Sequence, residues 1–107
     1  MAAFGDSTRI RVYNESTHTF TDLVVQTPGA RHEFGHLAPR SYSGYREFGE
    51  SYRYAFISLK IDGVDYVMQP TDYVGETPLG AGKFTFSISV VNPGDRILAI
   101  RSNRDRP

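Results

Sequence analysis

Hydrophobic and polar residues alternate along this chain in short runs separated by turn residues. The clearest run is Lys83 to Val91. Phe84, Phe86, Ile88 and Val90 fall on one side, and Thr85, Ser87 and Ser89 on the other. A period of two over that length predicts a strand with one buried and one wet face. Arg53 to Ile61 repeats the pattern, with Ala55, Ile57, Leu59 and Ile61 opposite Tyr54, Phe56, Ser58 and Lys60. Asp62-Gly63 follows, and then Val64 to Gln69. Asp-Gly between two strand-like runs predicts a type I′ hairpin, whose two central residues both need positive φ.

Weaker runs complete the set: Arg9 to Tyr13, Asp22 to Gln26, His32 to Leu37, Tyr42 to Phe48 and Arg96 to Arg101. Pro28-Gly29, Ala38-Pro39-Arg40 and Asn92-Pro93-Gly94-Asp95 punctuate them. No segment carries helical periodicity. Pro70 to Gly82, with Gly75, Pro78 and Gly80, reads as a connection crossing between sheets, as in a Greek key. The pattern predicts an all-β domain, an immunoglobulin-like or transthyretin-like β-sandwich of seven to eight antiparallel strands. It spans 1–107 as one unit, with 1–7 and 102–107 expected to be flexible.

A chain of 107 residues can bury one core without metal or disulfide staples. Twelve basic residues balance twelve acidic ones, which disfavours a general affinity for nucleic acid or anionic lipid. No apolar run approaches the ~20 residues of a helical membrane span. The absence of cysteine excludes disulfides, thiolate nucleophiles and cysteine zinc sites. The first residues, Met1 to Asp6, lack the charged and apolar regions of an export signal. The expected compartment is therefore the periplasm or cell envelope if a signal has been removed, and the cytoplasm otherwise.

Most candidate chemistry fails on spacing. His32 and His36 lie four apart, but on a strand that separates them by roughly 13 Å, too far to share an ion. His18 sits in a polar turn. Gly75 to Lys83 has glycines at phosphate-loop separation, yet Ala81 stands where lysine is needed and a strand follows in place of a helix. No Gly-x-Ser-x-Gly elbow is present. Asp62 and Asp65 fit the hairpin, not an EF-hand. Asn14-Glu15-Ser16 matches the glycosylation acceptor pattern, which matters only in a eukaryotic secretory pathway.

Two features remain. One is the loop Asp72-Tyr73-Val74-Gly75-Glu76, which reads either as a binding loop or as an anchor for the crossover. The other is the aromatic and arginine density from Tyr42 to Phe56, a hairpin-like region containing Tyr45, Arg46, Phe48, Tyr52, Arg53 and Tyr54. If Ala55 and Ile57 face the core, Tyr54 and Phe56 point outward and need a cover. That cover is either the 70–82 loop or a second subunit. Core filling with snorkelling arginines ranks first, a protein-interaction surface second, and a single-stranded nucleic-acid platform third.

The stretches Tyr52-Arg53-Tyr54-Ala55, Gln69 to Glu76 and Leu79-Gly80-Ala81-Gly82-Lys83-Phe84-Thr85-Phe86 resemble small bacterial cell-envelope or lipoprotein-like β-domains. The last stretch is also similar to the closing strands of transthyretin-like and carboxypeptidase-regulatory-like sandwiches. The resemblance covers about a third of the chain, implies a sandwich and export, and supplies no catalytic residues. The transthyretin-like hydroxyisourate hydrolases share the outline but end in Tyr-Arg-Gly-Ser, whereas this chain ends Arg101 to Pro107. The sequence thus points to a non-enzymatic binding or structural module. Its expected binding residues are Tyr54, Phe56, Arg53, Asp72, Tyr73 and Glu76, with no cofactor, no metal and no catalytic set. Its expected partner is a protein or a second copy meeting the aromatic face. A small hydrolase using His32 or His36 with Asp72 or an arginine is the main alternative.

Overall fold

In a computed structural model, residues 7–70 and 73–106 are described. They form eight strands in two four-stranded sheets: β1 (Thr8–Asn14), β2 (Phe20–Gln26), β3 (Arg31–Leu37), β4 (Arg46–Glu47), β5 (Phe56–Ile61), β6 (Val64–Met68), β7 (Gly82–Asn92) and β8 (Ile97–Arg104). The strand orders are β4-β1-β7-β8 and β3-β2-β5-β6. The inner faces make a single core. Ile10, Val12, Phe84, Phe86, Ile88 and Leu98 come from the first sheet, and Phe20, Leu23, Val25, Ile57, Leu59 and Ile61 from the second. This is the all-β sandwich that the period-two runs predict, with the Phe84–Ile88 and Ala55–Ile61 faces at its centre.

The hairpin of β5 and β6 closes on Asp62 (φ 51°) and Gly63 (φ 79°), with Ile61 opposite Val64, as the Asp-Gly pair requires. The connection from residue 70 to Gly82 carries the chain from one sheet to the other. It delivers β7 parallel to β1, from Thr8 opposite Gly82 to Asn14 opposite Ile88. That pairing departs from the wholly antiparallel expectation. A parallel neighbour needs a long crossover, and alternation within each strand cannot reveal which strand it will meet.

Three other expectations change. Tyr42 to Phe48 is not a full strand: only Arg46–Glu47 pairs with β1, beside an isolated bridge between Tyr13 and Tyr42. The Val12 amide donates to the Ser43 hydroxyl (2.8 Å), so a side chain takes the place of a ladder carbonyl. The polar face of β7 is not wet, because Thr85 and Ser87 are 5% and 6% exposed. Arg11 Nε donates to Thr85 Oγ1 (2.9 Å), and Thr85 donates to the Asp105 carboxylate (2.7 Å).

The third change concerns the chain ends. β8 continues through Ser102 and Asn103 to Arg104, and the Asp105 amide donates to the Lys83 carbonyl (2.8 Å). The segment from 102 was expected to be flexible because it is polar, but its partners are backbone groups of β7 and the Arg11–Asp105 ion pair (3.4 Å). At the other end, Ser7 accepts a hydrogen bond from Gly82, and residues 1–6 lie outside the described residues.

Candidate functional site

The expected binding residues meet where the crossover returns over the end of the second sheet. Ala55 is fully buried, so its strand neighbours Tyr54 and Phe56 turn outward and are half-buried. Tyr73 supplies the cover. Its ring lies nearly parallel to Tyr52 (4.7 Å between centroids, 19°) and to Tyr54 (5.3 Å, 17°). A tight turn at Gly75 (φ 82°) brings Glu76 N back to the Tyr73 carbonyl (3.0 Å). Glu76 then pairs with Arg53 (3.2 Å), and Leu79 N donates to the Ser51 carbonyl (2.8 Å). Five of the six expected residues are thus brought together. The sixth, Asp72, lies outside the described residues.

A second docking event completes the site. The turn from Thr27 to Ala30 closes on itself (Thr27 N to Ala30 O, 2.8 Å), and its Gly29 donates to the Glu50 carbonyl (3.0 Å). A Cβ on Gly29 would overlap backbone atoms of Phe48 and Glu50, so only glycine allows the two segments to meet this closely. Between that turn, the start of β5 and the end of β6 lies a cleft of about 390 Å³. It is lined by Gln26, Thr27, Pro28, Phe56, Gln69, Pro70 and Tyr73. That volume falls in the range of ligand pockets, about 300–1,000 Å³.

The cleft's chemistry is uniform in charge and mixed in polarity. None of its lining residues is ionised. The nearest charges are taken up locally: Arg53 by Glu76, and Glu50 by the Tyr52 hydroxyl, which donates to it (2.7 Å). Tyr52 has a pKa raised above 10.0 by that bond to Glu50 and by burial, and burial also raises that of Tyr73. Both phenols therefore stay neutral donors at physiological pH. Gln26 and Gln69 are exposed amides, each offering donors and an acceptor. Thr27 is 4% exposed, and its hydroxyl has no hydrogen-bond partner. An unsatisfied buried hydroxyl costs about 1–3 kcal/mol.

The other candidates are placed elsewhere. His32 sits on β3 with Nε2 donating to the Glu47 carbonyl (2.6 Å) and its ring edge-on to Phe48 (4.7 Å). His36 is exposed on the same strand, and neither histidine lines the cleft. Arg46 lies over the Phe34 ring (5.0 Å). Arg9, Arg11 and Arg101 pair with Glu47, Asp105 and Glu15. The arginines that suggested a phosphate-tracking surface are thus committed to partners inside the domain. Asn14 is fully buried, donating to the His18 and Leu37 carbonyls and accepting from Ser16 N and Oγ. The folded domain leaves no room for a glycan there. Among the described residues no group of three histidines or carboxylates could hold a metal ion.

Sequence reasoning missed Gln26, Thr27, Pro28, Gln69 and Pro70. They sit at strand ends and read as turn punctuation. The link is the register that puts Gln26 opposite Phe56 and Met68 opposite Ile57, which places the ends of three strands side by side.

No protein-family description and no curated protein sequence matches the chain. Among solved structures, the fold is similar to the NMR structure of a protein from Eubacterium rectale, with a TM-score of 0.61 and 12% identity. The match covers 100% of this chain and 97% of the other. At that identity the likeness shows the fold alone: both chains are built on the same sandwich along their whole length.

Proposed function

We propose that this domain is a non-enzymatic binding module of the bacterial cell envelope, and that it binds through the cleft at the β5 entry. The observation that supports this reading is the cleft itself. It offers aromatic and prolyl surface, two free amides and a buried hydroxyl lacking a partner, on a scaffold whose turns are locked to one another. A few convergent polar groups on a largely apolar wall are the usual makings of a binding pocket. The histidines of the alternative hydrolase are spent or remote: His32 Nε2 is held by the Glu47 carbonyl. The envelope placement rests on the resemblance carried by Tyr52–Ala55, Gln69–Glu76 and Leu79–Phe86.

Nitrogen-15 NMR titration tests the binding reading. Neutral oligosaccharides, a proline-rich peptide and a short oligothymidylate are added separately to the labelled domain. The expected result is a set of amide shifts at Gln26, Thr27, Phe56, Gln69 and Tyr73. Shifts elsewhere only, or none with any probe, would refute it.

A further inference from the structure

Resting on that reading of the cleft, we infer that its ligand is an uncharged saccharide. Charge comes first. No lining residue is ionised, and the flanking Arg53, Glu76 and Glu50 already satisfy one another or Tyr52. An ionic ligand would lose its hydration and find no counter-charge. The polar groups come second. Gln26 and Gln69 both donate and accept, and Thr27 Oγ1 can do either while having no partner in the protein. A ligand matched to this set must present groups that donate and accept from the same atom. Hydroxyls do this, whereas the backbone carbonyls of an extended proline-rich peptide only accept. The apolar groups come third. Phe56, Tyr73, Pro28 and Pro70 supply ring surfaces against which the C–H face of a pyranose packs, leaving its equatorial hydroxyls toward the amides. Rigid rings give contact area at small entropic cost.

Thr27 gives this inference a signature that a purely structural role would not produce. Thr27→Val keeps the side-chain shape and removes the orphaned hydroxyl. Without ligand it raises the melting temperature, because a buried unsatisfied group is gone. With ligand it weakens binding roughly fivefold, the cost of one hydrogen bond. Gln69→Ala, at an exposed position, weakens binding by a similar factor and leaves melting unchanged.

The experiment titrates malto-, cello-, xylo- and chitotriose into wild-type, Thr27→Val and Gln69→Ala protein, read by the cleft amides and by thermal melts. The inference holds if one trisaccharide shifts the cleft amides and both variants bind it more weakly, with Thr27→Val melting higher. It is overturned if a trisaccharide binds all three proteins equally. It is also overturned, with the binding reading left standing, if only the proline-rich peptide or the oligothymidylate shifts the cleft. If no probe moves the cleft amides, both fall.

Discussion

Gly29 is the position where one added methyl group tests the architecture of the site. Its Cα faces the backbone of Phe48 to Glu50 so closely that an alanine Cβ would overlap the Phe48 carbonyl oxygen and the Glu50 amide nitrogen, and would lie 2.9 Å from the Gly49 carbonyl carbon. All three are main-chain atoms, so no side chain can swing away. The Thr27–Ala30 turn must lift off, straining or breaking the Gly29 N to Glu50 O bond (3.0 Å). Overpacking of this kind costs about 1–3 kcal/mol, and a lost hydrogen bond adds about 0.5–1.5 kcal/mol. Together they predict a loss of about 2–4 kcal/mol. In a domain of this size that lowers the melting temperature by roughly 10–20 °C.

Gly44→Ala is the matched control. Nothing lies within 4 Å of its built Cβ, and its φ is not in the left-handed region. That substitution should be neutral or stabilising by about 0.4–1 kcal/mol through the unfolded chain. Calorimetry and urea denaturation of the two variants measure the difference. If Gly29→Ala melts within about 2 °C of Gly44→Ala, the close docking of the turn is wrong, and the cleft built upon it goes too.

Three further outcomes are expected. Asp105→Ala removes the acceptor for Thr85 and the partner of Arg11, and should cost about 1–3 kcal/mol in urea denaturation. Glu47→Ala breaks the exposed pair with Arg9 and should cost under about 0.5 kcal/mol; equal effects would refute the tail's anchoring role. Asn14→Leu strands the His18 and Leu37 carbonyls and the Ser16 amide, and should cost about 3 kcal/mol or more; an unchanged denaturation midpoint would contradict the buried network. Burial, the hydrogen bond to Asp105 and that carboxylate's charge raise the pKa of Tyr45 above 10.0. The folded state therefore holds the phenolic proton more tightly than the unfolded chain. This contribution is complete below about pH 10 and is lost as pH rises through the folded-state value. Alkaline melts should show the decline, and Tyr45→Phe should flatten part of it. Parallel curves for the two proteins would refute the assignment.

The pattern of side chains settled much of this protein before any strand was paired. Alternation depends only on which side of an extended backbone each residue points to, so Phe84 to Val90 and Ala55 to Ile61 declared their buried faces directly. Asp62-Gly63 declared its turn because few other residues tolerate positive φ at both positions. The outward aromatic pair Tyr54 and Phe56 and the loop residues Tyr73 and Glu76 were legible for the same local reasons. What the tertiary structure alone decided was partnership. The Tyr73 ring over Tyr52 and Tyr54, the Arg53–Glu76 pair and the parallel meeting of β1 with β7 all join residues far apart in sequence. The polar chain end became a strand because β7 offered it a ladder, which no feature of Ser102 or Asn103 announces. Gln26, Thr27 and Gln69 looked like loop residues, and sheet register made them one wall of a cleft. Periodicity records how a residue faces its own backbone; a site is made by which backbones come to lie side by side.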